Sequence, residues 1–100
     1  TCFANDYGYE NAMKEWINFS FQEGDLLVAI SSSGESANIL NAVNAHQSKG
    51  GKVMTLSGFK KDNTLSQLGT VNFQTTTENY GIVECFHQVI PHAILDEIAQ

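Results

Sequence analysis

The stretch that decides the fold is LLVAISSSGESANIL, residues 26–40. Five apolar residues, Leu26–Ile30, run directly into three serines and a glycine, and apolar residues then return at helical spacing. A short apolar run without polar alternation is typical of a central parallel strand that is covered on both faces. The stretch therefore predicts a buried strand, a loop rich in hydroxyl groups and a helix.

The rest of the chain repeats this alternation of helix and strand. Apolar residues at helical spacing predict helices over about residues 10–21, 36–48 and 79–99, with Gly24 ending the first in a left-handed conformation. Short apolar runs predict strands at 53–56 and 71–73, and one helical turn follows a cap at Asn63 or Thr64. This order predicts an α/β fold, a three-layer αβα parallel sheet with right-handed crossovers. Because three strands are few for such a sheet, we expect an upstream strand and helices to be missing.

The final helix has a predicted apolar face. Its members recur at helical spacing: Ile82, Phe86, Val89, Ile90, Ala93, Ile94 and Ile98. Together they form one face of the predicted helix.

Composition narrows the class of protein. One hundred residues suit one small domain, residues 1–100, and 42% hydrophobic with 16% charged residues is typical of a globular chain. No apolar run approaches the roughly 18 residues of a membrane span, and the N-terminus does not resemble a signal peptide, so we expect a cytoplasmic protein without a membrane partner. Cys2 and Cys85 have no metal or disulfide spacing, which favours a reducing compartment. With five Lys and Arg and a net charge of −6, nucleic acid is not expected as a partner.

The loop after the first strand is the candidate binding site. Ser31, Ser32, Ser33, Gly34 and Ser36 fall where parallel α/β folds bind ligands, and Ser36 is placed to begin a helix. A helix N-terminus and serine hydroxyls can bind phosphate without arginine. The loop carries neither a GK[ST] motif nor GxGxxG, so no nucleotide cofactor is expected. The alternative is an ordinary turn in which Ser36 only caps the helix.

Four segments together resemble one family. ISSSGESANILNAV, residues 30–43, resembles the I-S-T-S-G-N-S-x-N-[VI] signature of sugar isomerase (SIS) domains, and specifically of phosphoheptose isomerases. ANDYGYENAM at 4–13 is similar to that family's G-N-D-[YF]-G-[YF]-[ED] segment, EGDLLVAI at 23–30 follows at a matching interval, and GKVMTLSG at 51–58 resembles its next strand and turn. The resemblance implies a flavodoxin-like SIS fold, of which this chain is the C-terminal portion.

The resemblance also implies binding residues. The substrate-binding positions would be Ser31, Ser32, Ser33, Ser36, Asp6 and Glu84. For Asp6, a local role as a turn residue before Gly8 is equally consistent with the sequence. Glu35 stands where the family has asparagine, and a carboxylate near phosphate is unfavourable unless it points to solvent.

The last helix resembles the family's QEIHxxxxH segment. His92 matches the acid/base histidine, and Glu84 replaces a glutamine that helps that histidine to bind zinc in some members. The resemblance thus implies a catalytic His92 and possible zinc binding by Glu84 and His92, although two ligands are too few for a closed site. Without the resemblance, His92 is equally consistent with a surface histidine. Pro91 predicts a kink, and we expect no role for His87, which faces away from His92, or for His46, on a solvated helix.

The function that the resemblance implies is isomerisation of sedoheptulose 7-phosphate to a D-glycero-manno-heptose 7-phosphate, for cell-surface heptose synthesis. The family's catalytic glutamate and its G-N-G-G-S phosphate loop belong to an upstream segment, so the fragment alone is expected to be inactive. Homotetramers are implied, and the 10–21 helix, with Trp16, Phe19 and Phe21, could serve an interface. Two alternatives remain: a non-catalytic SIS domain that senses a phosphosugar, and a structural half-domain that only associates with other subunits.

Overall fold

The computed structural model describes residues 9–99, and side chains from 11 to 98. The elements in chain order are α1 (Tyr9–Ser20), β1 (Leu26–Ser31), α2 (Ala37–Ser48), β2 (Lys52–Ser57), a 3₁₀ turn (Leu65–Gln67), β3 (Val71–Gln74) and α3 (Tyr80–Ala99). This alternation confirms the predicted α/β fold.

The sheet is parallel throughout, with the strand order β1-β2-β3. Leu27 pairs with Val53 and Ser31 with Ser57, so the C-terminal ends of β1 and β2 lie side by side. Because loops after parallel strands meet at this edge, the register places the segment after Ser31 beside the segment after Ser57.

One helical layer covers one face of this sheet. Ala29 and Val53 pack with Val43 of α2 and with Leu65 of the 3₁₀ turn, and all four are buried. A second cluster joins α1 to α2 through Ile17, Ala42 and Ala45. These contacts fix the position at which α2 begins relative to the end of β1.

The position of β1 corrects a prediction. We expected a central strand covered on both faces, but β2 is central and β1 lies at the edge of the described sheet. Ala29 is buried, whereas Leu26, Val28 and Ile30 are 60%, 40% and 44% exposed. The apolar run reflects a face that no described residue covers.

The end of α1 also differs from the prediction. The helix ends at Ser20, and Gly24 lies beyond it, in a turn where the Asp25 N–H donates to the Gln22 carbonyl at 3.0 Å. Gly24 does have the predicted left-handed conformation, with φ of +93°. It therefore closes the connection to β1 instead of terminating the helix.

The predicted apolar positions of α3 divide between its inward and outward sides. Val83 and His87 are buried, and Ile90 and Ile94 are half-buried on the same stripe. The remaining large members of the predicted face are exposed, namely Ile82, Phe86, Val89 and Ile98. The helix is apolar on two sides, and periodicity alone does not say which side meets the sheet. Pro91 lies inside α3 without ending it.

Two further details concern α1 and α2. His46 is buried, not solvated as expected, because its Nε2 lies 3.1 Å from the Asp25 carbonyl oxygen and its ring packs edge-on against Phe21. Phe21 is thus partly buried, while Trp16 and Phe19 are exposed on α1. Among the described residues, no helix has both the length and the apolar character that a membrane-spanning helix needs.

Candidate functional site

The serine loop, residues 31–36, connects the end of β1 to the start of α2. The Ser31 hydroxyl accepts a hydrogen bond from the Gly34 N–H at 3.1 Å and lies 3.0 Å from the Ser36 hydroxyl. The Ser33 hydroxyl accepts from the Glu35 N–H at 3.1 Å. Because these backbone bonds use the oxygens as acceptors, the Ser33 proton and one proton of the Ser31–Ser36 pair can be donated to a ligand.

The N-terminus of α2 adds a second source of positive potential. Ser36 has an extended conformation, with φ of −66° and ψ of 119°, and its carbonyl accepts from the N–H groups of Ile39 and Leu40. Its hydroxyl turns to Ser31 and makes no cap to the helix. Within residues 37–40 there is no acidic side chain to neutralise the helix dipole. An anion beside the loop would therefore face both hydroxyl donors and the positive end of α2.

Gly34 allows the loop to lie close to the segment after β2. Its φ is +71°, and a Cβ atom at this position would lie 1.9 Å from Oδ1 of Asn63. The Gly34 carbonyl accepts from the Leu65 N–H at 2.9 Å. Both the backbone conformation and the close approach thus require glycine.

Asn63 packs through its side chain against Gly34 of the serine loop. Its side chain is almost fully buried, and its amide nitrogen donates to the Ser57 hydroxyl at 3.1 Å and to the carbonyls of Gly58 and Lys60 at 3.0 and 2.9 Å. Its amide oxygen accepts from the Ser66 N–H at 2.9 Å, beside the start of the 3₁₀ turn, whose N-cap is Thr64, one of the two predicted caps. The sequence predicted the cap, but not that Asn63 joins β2 to the serine loop.

Glu35 makes contacts that its sequence position does not reveal. One carboxylate oxygen accepts from the Thr64 N–H at 3.0 Å, and the other accepts from the Thr64 hydroxyl. The bond from the hydroxyl, followed by the backbone bond, lowers the pKa of the Glu35 carboxyl. The carboxylate is exposed and held by Thr64.

The lowered pKa gives a prediction for acid conditions. The bonds from Thr64 favour the charged form of Glu35, so their contribution to stability is present above the usual carboxyl pKa of 4.5 and is lost as the pH falls through the lower folded value. We expect the Glu35 carboxyl resonance, followed by NMR, to titrate with a midpoint below 4.5, and Thr64→Val to raise that midpoint. A wild-type midpoint at or above 4.5 would contradict the bonding described here.

The first half of α3 approaches this end of the sheet. His87 is buried, with Nε2 3.1 Å from the Ser57 carbonyl oxygen, and Val83 packs against Gly58. His92 and Glu84 are exposed. His92 lies five residues beyond His87, which is roughly 140° further around the helix and about 7.5 Å along it. The recorded contacts of the described residues bring His87, for which no role was expected, to the end of β2.

The predicted site residues therefore fall into two groups. The Ser31 and Ser36 hydroxyls come together as expected, Ser33 bonds to the Glu35 N–H, and Ser32 lies half-buried in the same loop. Glu84 and His92 are exposed on α3, and Asp6 lies outside the described residues.

The donors for a metal are few in the described part of the chain. No group of three or more His, Cys, Asp or Glu side chains there could hold a metal ion. Glu84 and His92 are eight residues apart, about 12 Å along the helix. Zinc takes three or four protein ligands, so these two residues alone do not make a zinc site.

The sequence and the fold of the chain are both similar to those of known proteins. The chain is 37% identical over 89 residues to the phosphoheptose isomerase of Photorhabdus laumondii, covering 89% of this chain and 45% of that protein. It is 34% identical over 94 residues to the phosphoheptose isomerase of Serratia proteamaculans, covering 94% and 47%. Its fold superposes on phosphoheptose isomerase GmhA from Neisseria gonorrhoeae with a TM-score of 0.88 and 28% identity, over 97% of this chain and 55% of that one. The chain is a homologue of the phosphoheptose isomerases.

The match to phosphoheptose isomerases confirms the resemblance noted in the sequence. A second solved phosphoheptose isomerase, from Francisella tularensis, gives a TM-score of 0.86 at 26% identity, over 95% of this chain and 51% of that one. The chain spans less than half the length of the two curated relatives cited above, which fits a C-terminal portion of a phosphoheptose isomerase. No protein-family model matches the chain.

Proposed function

We propose that the chain is part of a phosphosugar aldose–ketose isomerase that binds the phosphate of its substrate at the serine loop. The observation that carries the proposal is the grouping of the Ser31, Ser33 and Ser36 hydroxyls at the N-terminus of α2, in a chain homologous to phosphoheptose isomerases. The substrate we propose is sedoheptulose 7-phosphate and the product a D-glycero-manno-heptose 7-phosphate, a cytoplasmic reaction that supplies heptose for cell-surface polysaccharide.

Phosphate binding would rest on local donors, because the chain as a whole is acidic. With a net charge of −6, the overall field repels an anion. The Ser33 proton, one proton of the Ser31–Ser36 pair and the free N–H groups of the first turn of α2 offset this repulsion over a short range. Binding the phosphate end of the sugar would hold the carbonyl end at a fixed distance from the loop.

The chemical step would use His92. Isomerisation requires a base that removes a proton from the carbon next to the carbonyl and an acid that serves the oxygen, and an imidazole can do either near neutral pH. His92 is exposed on α3, and the family resemblance implies that its partner group is a glutamate on an upstream helix. We also propose that Glu84 and His92 contribute to zinc binding, although by themselves they do not form a site and no step is derived through the metal.

Assembly into a homotetramer is part of the proposal. Its support is the apolar surface of α3, where Ile82, Phe86 and Val89 are exposed, together with Trp16 and Phe19 of α1. Burying large apolar side chains between subunits is the usual source of stability in such interfaces.

A second candidate function is a non-catalytic phosphosugar sensor. It is favoured by Glu84, which stands where the family resemblance places glutamine. The full-length protein, incubated with sedoheptulose 7-phosphate and followed by NMR, separates the two. Formation of the aldose phosphate supports the isomerase, whereas binding without conversion supports the sensor.

The serine loop is tested by removing two of its hydroxyls. We expect Ser33→Ala combined with Ser36→Ala to weaken phosphosugar binding by the full-length protein at least about 100-fold, since hydrogen bonds to a charged group are among the strong ones. Titration calorimetry measures the change in Kd. The matched control is Ser20→Ala with Ser48→Ala, which removes two hydroxyls that bond only to carbonyls of their own helices. An unchanged Kd in the Ser33/Ser36 variant would refute the proposed phosphate site.

A further inference from the structure

We infer that Thr64 is a positioning residue for phosphate binding, because it holds the Glu35 carboxylate away from the anion. The inference rests on the proposed function of the serine loop. Glu35 lies within that loop, between Ser33 and Ser36, whose hydroxyls are the proposed donors. No role was expected for Thr64 beyond a possible helix cap.

A carboxylate at this position raises an electrostatic problem. A sugar phosphate carries up to two negative charges near neutral pH, and Glu35 is ionised there, since its pKa lies below the usual carboxyl value of 4.5. For charges of −2 and −1 in water, a separation on the order of 7 Å gives a repulsion that, without salt, weakens binding by about 5-fold to 10-fold. A carboxylate free to rotate toward the phosphate would therefore reduce affinity.

The Thr64 contacts remove this freedom. Both carboxylate oxygens of Glu35 are engaged, one by the Thr64 N–H and one by its hydroxyl. The two hydrogen bonds fix the orientation of the carboxylate and stabilise its negative charge. The side chain of Glu35 thus faces the segment after β2.

Thr64 is itself held firmly. Its neighbours on both sides are buried, Asn63 by its bonds to the end of β2 and Leu65 in the main core cluster. The Leu65 N–H also donates to the Gly34 carbonyl at 2.9 Å, so the segment is tied to the serine loop beside Glu35. Because this backbone is fixed before any ligand arrives, the Glu35–Thr64 pair needs no rearrangement on binding.

The effect of replacing Thr64 on phosphosugar binding should depend on the charge of Glu35. Thr64→Val keeps the shape of the side chain and the backbone N–H but removes the hydroxyl bond, which lets the carboxylate turn. We expect it to raise the Kd of the full-length protein for sedoheptulose 7-phosphate about 5-fold. In a Glu35→Gln background the same change should have less than about a twofold effect, because no charge remains to be held.

The experiment measures Kd by calorimetry for the wild type, Thr64→Val, Glu35→Gln and the double variant. Thr64→Ser keeps the hydroxyl and should behave as the wild type. The deficit of Thr64→Val should shrink when salt rises from about 0.05 M to about 0.5 M, as charge repulsion is screened. Thr76→Val, at an exposed threonine whose hydroxyl bonds to Gln74, is the matched control.

Three results would overturn the inference. One is an unchanged Kd in Thr64→Val, and another is an equal loss in both backgrounds, which would mean that the Thr64 hydroxyl acts independently of the Glu35 charge. The third is a Ser33/Ser36 variant that binds as tightly as the wild type, since the phosphate would then lie elsewhere and the proposed site would fail with it. A weakened serine variant beside an unaffected Thr64→Val would refute the role of Thr64 alone.

Discussion

Replacing His92 with alanine is expected to lower the isomerisation rate of the full-length protein by about 10²-fold to 10⁴-fold, the usual contribution of a positioned acid/base group. The Kd for the phosphosugar should change by less than about threefold, because the proposed phosphate donors lie on the serine loop. His92 is exposed, so the substitution leaves no cavity in the described core. The measurements are kcat by NMR of the product and Kd by calorimetry.

The control for His92 lies on the same helix. Glu97→Gln changes an exposed side chain of α3 and should leave both kcat and Kd unaltered. If His92→Ala retains full activity, the histidine has no acid/base role. If the wild type binds the phosphosugar and makes no product under the same conditions, the sensor function replaces the isomerase.

Gly34→Ala is expected to destabilise the protein by about 2–4 kcal/mol and to abolish phosphosugar binding. The backbone at φ of +71° disfavours alanine, and the new Cβ would overlap Oδ1 of Asn63 at 1.9 Å. Either the serine loop or Asn63 must move, and moving Asn63 breaks its bonds to Ser57 and Gly58. Urea denaturation measures the free energy of unfolding, and calorimetry measures the binding.

Gly50→Ala separates the cost of placing alanine at a positive φ from the cost of the overlap with Asn63. Gly50 has a similar φ of +82°, but a Cβ there would meet no atom within 4 Å. Its alanine variant should therefore cost only the backbone term of about 1–2 kcal/mol and should bind the phosphosugar normally. Equal destabilisation in the two variants would mean that the close approach of Gly34 to Asn63 is unimportant.

The sequence was sufficient for the local part of the fold. The apolar run, the turn residues and the helical spacing around 26–40 predicted β1, the serine loop and α2 to within a residue or two at each boundary. The start of the 3₁₀ turn was also predicted, with Asn63 or Thr64 as its cap, and Thr64 occupies that position. These features were predictable because short-range geometry determines them.

The parts that were not predicted depend on distant residues. Glu35 and Thr64 are 29 positions apart, and nothing in either segment alone indicates that they meet. The burial of His87 also depends on its contact with Ser57, 30 positions earlier in the chain. Likewise, the place of β1 at the edge of the sheet formed by residues 9–99 is set by the strand order, which the apolar run does not indicate.

The edge of β1 that faces away from β2 can promote aggregation of the isolated chain. Within the described residues its backbone has no partner strand on that side, and Val28 and Ile30 stand exposed beside it. An uncovered apolar edge is a template on which another chain can add a strand, the first step of aggregation. Self-association of the isolated segment by such strand addition would be difficult to distinguish from native assembly, so subunit number is best measured on the full-length protein.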